Sequence, residues 1–277
     1  MIYLLLAILS SALISIGMRI SDKHISNNIS MLAVNYFTCA ALAFFYIPAA
    51  RIPFGAGMGT SLMLGIIGGV FYLGGFVLFQ WNVSKNGVVL PATFMKLGVL
   101  VPTLLSILVF GEKPGVMQLI GFAGALAAIL MIHFEGKSSR AGNRWALIAL
   151  LLGGGMADAM SKVFEELGDP ARKDWFLFYT FLTALLLCVG LIFLKKQRLR
   201  LPELFFGLLV GIPNYFSSRF LLLSLDSVPA VVAFPTFSVG TIVVVSCAGM
   251  LFFREKLSRR RTMALGIILV SLVLLNL

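Results

Sequence analysis

Charged side chains are scarce in this chain: Asp, Glu, Lys and Arg make up 12% of its 277 residues, against 60% hydrophobic. So little polar surface cannot cover a water-soluble globule of this length, which excludes a cytosolic enzyme or a soluble binding module. Acidic residues are the scarcest charge, 11 against 22 basic ones. The resulting excess of +11 still does not indicate nucleic acid as a partner, because the basic residues fall in short connections between apolar runs and not along one continuous face. The two histidines, His24 and His133, lie in separate regions, and Cys39, Cys188 and Cys247 each sit inside an apolar run. Neither set has the spacing of a metal site or a disulfide framework. No cofactor or metal is therefore expected, and the cysteines read as small packing residues.

What the chain has in abundance is apolar length. A bilayer core about 30 Å thick needs roughly 20 apolar residues per helix. Such runs occur near 2–20, 30–48, 58–82, 87–110, 115–133, 144–164, 175–194, 202–224, 229–253 and 262–277. Turn-forming residues separate them, among them Asn27 and Asn28, Pro48 and Pro53, Gly111 and Pro114, Gly168 to Pro170, Pro202 and Pro229. In lipid every backbone polar group must be satisfied within the segment, so helices are the expected form of all ten. The first run has no basic residues before it and Arg19 and Lys23 after it, which makes it a first span and not a cleaved leader.

The sequence repeats at a fixed offset of 143 residues. Tyr36 falls on Tyr179, Gly68 on Gly211, Tyr72 on Tyr215, Thr93-Phe94 on Thr236-Phe237, and Glu112-Lys113 on Glu255-Lys256. Arg19 and Asp22 meet the similar Lys162 and Glu165. Two repeats follow, residues 1–136 and 137–277, each of five spans. An odd number of spans per repeat inserts the second copy upside down relative to the first, the inverted arrangement of many secondary transporters. The expected fold is all-α: a polytopic membrane protein of ten transmembrane helices in two inverted five-helix repeats.

Loop charge sets the expected orientation. Counted from the N-terminus, the odd connections hold fifteen basic residues, among them Arg19, Lys137, Lys195, Arg200 and Arg259, and the even ones hold Arg51, Lys113, Arg172 and Lys173. Short basic loops stay in the cytoplasm, so the odd connections are expected inside and both termini outside, in a plasma membrane.

Ten helices in two halves, each with a Glu-Lys turn before its last helix (Gly111-Glu112-Lys113 and Arg254-Glu255-Lys256), resemble the EamA type of the drug/metabolite transporter superfamily across the whole chain. Stretches such as Asn35-Tyr36, Met95 to Gly98, Ala157 to Lys162 and Pro213-Asn214-Tyr215 resemble a Gram-positive, clostridial-type branch. The resemblance implies a small-molecule solute, a lipid environment, a cavity lined chiefly by the third, fourth, eighth and ninth helices, and alternating access. It also implies both termini in the cytoplasm, opposite to the loop charges, which we follow. No oligomeric state is specified beyond monomer or homodimer. The Glu-Lys turns read as hairpin caps, with each carboxylate at the start of the helix that follows it.

Ionisable groups within spans are the functional pointers, since one at the bilayer centre costs about 2.5 to 3.5 kcal/mol even on insertion scales. Lys96 interrupts the fourth span, Asp158 the sixth and Arg219 the eighth, where the other repeat has Val239, Ser15 and Phe76. At helical rise they lie roughly 15, 21 and 26 Å from the odd-connection side, which we assign to the inner band of the membrane. Arg219 can hold a carboxylate or phosphate in a two-pronged grip at any relevant pH. Lys96 can lose its proton when desolvated. Asp158 is a partner for either cation, a protonation site that couples transport to a proton gradient, or a neutralising neighbour of Lys162 four residues on. For Arg219 the structural alternative is snorkelling or a pair with Asp226.

Around the cations, Tyr215 and Thr93 share helical faces with Arg219 and Lys96. Asn214 beside Pro213, with Asn35, Tyr36 and Tyr179, completes a candidate solute wall, interhelical hydrogen bonding being the alternative. The sequence offers no paired acidic motif and no base for Ser217 or Ser218, so catalysis is not expected. The function expected is secondary active transport of a small anionic or zwitterionic metabolite, an amino acid or related carboxylate. The alternative is an exporter of cationic or lipophilic drugs, proton-coupled through Asp158.

Overall fold

A computed structural model describes residues 1–21, 24–47, 55, 57–86, 89–133, 144–253 and 259–277; side chains are described within these ranges except at 80, 83–86, 89–90, 92–93, 132–133, 144, 252–253 and 261. Among the described residues all regular secondary structure is helical, with no strand. In chain order the helices are α1 (Ile2–Ser21), α2 (Asn28–Tyr46), α3 (Met58–Asn86), α4 (Val89–Leu97), α5 (Leu100–Leu108), α6 (Val116–His133), α7 (Arg144–Leu167), α8 (Lys173–Leu194), α9 (Leu201–Ser224), α10 (Ala230–Phe253) and α11 (Arg259–Leu275). A 3-10 turn, Pro170–Arg172, leads into α8. Among the described residues, seven helical stretches are long and apolar enough to cross a membrane, and three shorter apolar ones, Phe94–Leu108, Val116–Met131 and Thr262–Leu275, bring the number of apolar helices to ten. The chain is an all-α polytopic membrane protein. Large apolar side chains such as Phe45 and Leu194, each 81% exposed, face outward, where lipid is the solvent.

One expected span is not continuous. The fourth is two helices, α4 and α5, separated at Gly98 and Val99. Around the break the backbone bonds are of the tighter kind: Gly98 N to Met95 O at 3.2 Å, Val99 N to Lys96 O at 3.4 Å, Val101 N to Gly98 O at 2.9 Å. Pro102, which has no N–H to continue the ladder, follows directly.

Two contact units divide the chain, residues 1–73 with 160–226 and residues 74–159 with 227–277. In the first, α9 packs along α1 and α2, and α8 packs along α2. Small residues set the closeness of approach. A Cβ at Gly207 would stand 2.5 Å from the Val34 Cβ, and one at Gly211 would stand 2.6 Å from the Thr38 Cβ. Early α3 meets α8 in the same manner, Gly65 against Tyr179 and Gly69 against Thr180. The interior stacks rings, Phe164 on Phe176 at 4.4 Å and Tyr36 on Phe181 at 6.4 Å. The loop before α2 is pinned by Glu203, whose Oε1 accepts the Ser26 N–H at 2.9 Å.

In the second unit, α6 packs along α11 around Ala125, Ala128, Ile129, Val239, Ala264 and Ile268. Asn82 in late α3 donates to the Ala146 carbonyl of α7 at 3.0 Å. Gly155 of α7 lies directly against the Gly98 carbonyl at the break in the fourth span, with no room there for a side chain.

The Glu112 carboxylate corrects the expected hairpin cap. It accepts the Ala230 N–H through Oε1 at 3.0 Å and the Val231 N–H through Oε2 at 2.9 Å. The dipole argument holds, but the helix served is α10 and not α6, which follows Glu112 in sequence. The Pro229 carbonyl takes the next two N–H groups, of Val232 and Ala233, each at 2.9 Å. The first four donors of α10, orphaned in any helix, are thereby all accounted for.

Candidate functional site

Arg219 lies five residues before the end of α9 and half buried, at 19% side-chain exposure. Its Nη1 donates to the Tyr215 hydroxyl at 3.0 Å, one helical turn earlier. Its Nη2 stands 3.3 Å from Oδ1 of Asp174, in the first turn of α8. The guanidinium carbon sits 3.9 Å above the centre of the Tyr46 ring, at the end of α2. Tyr46 in turn stacks on Tyr215, centroids 5.7 Å apart. Three helix ends therefore converge on one cation, which has an anion, a hydroxyl and a π face as neighbours.

Two expectations for Arg219 need correction. Its partner is Asp174 and not Asp226; Asp226 pairs with Lys173, next to Asp174 in sequence. Asp174 opens α8, so the pair lies toward the ends of α8 and α9 joined to even connections and not in a band near the odd ones. The proximity of Asp226 in sequence could not decide against a carboxylate brought in from another helix.

In the second unit, Lys96 occupies the last turn of α4, immediately before the break, where the negative helix end favours a cation. Met95 and Gly98 beside it lie against Gly154 and Gly155 of α7. Asp158 is one turn further along α7, and it and Lys96 interact electrostatically. Both are half buried. Lys162, for which Asp158 was the expected neutralising neighbour, instead forms ion pairs within its own helix with Glu165 at 2.7 Å and Glu166 at 2.6 Å.

Of the expected wall residues, Asn214 donates to Asn35 Oδ1 at 3.2 Å, tying α9 to α2. Tyr36 is buried against Phe181. Tyr179 donates to the Met58 sulfur at 3.6 Å and stacks on Trp175. Tyr215 is fully buried on the Arg219 face. The Thr93 side chain lies outside the described residues. Sequence reasoning missed Asp174 and Tyr46. An acidic residue just before the seventh apolar run and just after the turn at Pro170 was a signal for Asp174; Tyr46 gave none, since only packing brings it to Tyr215. Tyr72, hydrogen-bonded to Ser218 at 3.1 Å, was equally hidden.

Set against known proteins, the chain matches the EamA-like transporter family over residues 1–134 and again over 140–277. It belongs to that family, and so to the drug/metabolite transporter superfamily: a multi-pass membrane transporter with a small-molecule solute. An uncharacterized protein of Haemophilus influenzae is 22% identical over 268 residues, which is 92% of this chain and 91% of the relative. A crystal structure superposes with a TM-score of 0.79 at 12% identity, covering 99% of this chain and 94% of the other, a likeness of fold alone.

Proposed function

We propose that the protein is a secondary active carrier of a small anionic or zwitterionic metabolite, an amino acid or related carboxylate, working by alternating access of two inverted repeats. The observation that carries this reading is Arg219, an always-charged fork within a span, held flat on Tyr46 with both Tyr215 and Asp174 in reach. Such a preorganised guanidinium suits the carboxylate of a solute. Tyr215 orients it. Lys96, coupled to Asp158 at the break in the fourth span, responds to occupancy, and Asp158 balances or couples charge. The loop charges support a plasma membrane orientation with odd connections inside.

Purified protein in liposomes should exchange labelled metabolites by counterflow. Arg219→Gln removes the charged fork and should reduce exchange to background while the protein still inserts and elutes as a folded species. Wild-type exchange by that variant rejects the assignment of Arg219.

A further inference from the structure

From the last turn of α8 into the first of α9 the chain reads Phe-Leu-Lys-Lys-Gln-Arg-Leu-Arg-Leu over residues 193–201, and every residue there except Gln197 is exposed. Lys195, Lys196 and Arg198 have no acidic partner among the described residues. Arg200 differs: it donates to the Ser26 hydroxyl at 3.3 Å and interacts with the buried Glu203, whose carboxylate takes the Ser26 N–H. Three positive charges on this turn are thus left without a counter-charge.

The backbone places one of them against its own preference. At the end of α8 the Gln197 N–H bonds the Ile192 carbonyl at 3.0 Å and the Lys196 N–H bonds the Phe193 carbonyl at 3.2 Å. These are the paired bonds of a Schellman motif, whose pivot takes the left-handed conformation that glycine adopts without strain. The pivot here is Lys196, at φ 49°, the one described non-glycine residue with positive φ. A helix C-terminus favours a cation, but Lys195 at the C-cap already supplies it. The second lysine adds charge that the fold does not use.

Beside this turn, Leu201, Phe205, Leu208 and Ile212 recur along α9 at intervals of four, three and four, so they share one face, and all four are exposed. The stripe extends about 16 Å at helical rise, along a helix that crosses the membrane. A soluble anion would meet the cations and leave the stripe. A zwitterionic lipid would cover the stripe and leave the excess charge. A lipid with a net negative headgroup satisfies both.

We propose that the α8–α9 turn and the outer face of α9 form a binding site for one anionic phospholipid, its phosphate held by Lys195, Lys196 and Arg198 and an acyl chain lying along Leu201, Phe205, Leu208 and Ile212. The site rests on the membrane class of the chain and not on the carrier reading above.

The test titrates the delipidated full chain in neutral detergent with dioleoylphosphatidylglycerol or dioleoylphosphatidylcholine and follows bound lipid by native mass spectrometry. The first phosphatidylglycerol should bind roughly a hundredfold more tightly than phosphatidylcholine, about fivefold for each of three basic residues near an anionic headgroup. Lys196→Gln with Arg198→Gln should weaken that first adduct roughly 25-fold. Arg259→Gln with Arg260→Gln, an equal loss of charge in another odd connection, should leave it unchanged. Lys196→Gly separates charge from fold: it relieves the left-handed backbone, so the thermal midpoint in detergent alone should hold or rise, while phosphatidylglycerol affinity falls roughly fivefold. Glycerol 3-phosphate, a phosphate without acyl chains, should not displace the lipid at equal concentration. Equal retention of the two lipids, equal weakening by the Arg259 and Arg260 pair, undiminished affinity in Lys196→Gly, or displacement by glycerol 3-phosphate overturns the site.

Discussion

Replacing Glu112 by Ala should open the start of α10 by about 2 kcal/mol. The first two N–H groups of that helix have no acceptor besides this carboxylate in the hydrogen-bond pattern described here, at 3.0 and 2.9 Å. They also start from a buried position, since Ala230 is 0% and Val231 2% exposed. Water cannot readily substitute. Losing a side-chain cap costs about 1 kcal/mol and up to about 2, and removing a negative charge from a helix N-terminus costs about 0.3 to 1 more, partly the same energy counted twice. About 2 kcal/mol is the net expectation, corresponding to a roughly 30-fold larger open population. Amide hydrogen exchange in nanodiscs reads that population residue by residue. Ala230 and Val231 should exchange roughly 30-fold faster in Glu112→Ala, whereas Val232 and Ala233, bonded to the Pro229 carbonyl, should change far less. Glu112→Gln keeps one acceptor oxygen, so its effect should be about half as large in free energy. Equal acceleration across residues 230–233, or none, would refute the capping account.

Other expected outcomes follow from the packing and the second charge pair. Gly207→Ala and Gly211→Ala should each destabilise the detergent-purified protein by about 1 to 3 kcal/mol, read as a lower thermal midpoint, because the added methyl must push α9 off α2; a Gly59→Ala control, with open space around it, should not. Asp158→Asn alone should destabilise the folded carrier more than Asp158→Asn combined with Lys96→Gln, with a coupling of about 0.5 to 3 kcal/mol in a double-mutant cycle read by thermal unfolding. Strict additivity would show that the two charges do not depend on one another.

The membrane class, the number of spans and their boundaries were legible in the residues themselves because they follow from local quantities. An apolar run must reach across about 30 Å of hydrocarbon, and in that solvent a helix is the form open to it. Glu112 announced itself as a helix cap for a similarly local reason, since any carboxylate before a turn is drawn to N–H groups. Which N–H groups it finds is a different matter. They belong to α10, more than a hundred residues on, because the fold brings that helix start to the 111–115 turn. Likewise Arg219 was recognisable as a charge that needed a partner, yet the acidic candidate near it in sequence was Asp226, in the next turn. Packing of α2, α8 and α9 supplied Asp174 and Tyr46 instead. The break after Lys96 arises where Pro102 and the close approach of Gly155 act on the same turn. Sequence by itself determined what must be buried and which groups could not be left alone in lipid; tertiary structure decided which partner each one received, because Coulomb and hydrogen-bond energies depend on distances of a few ångströms that only the packed helices set.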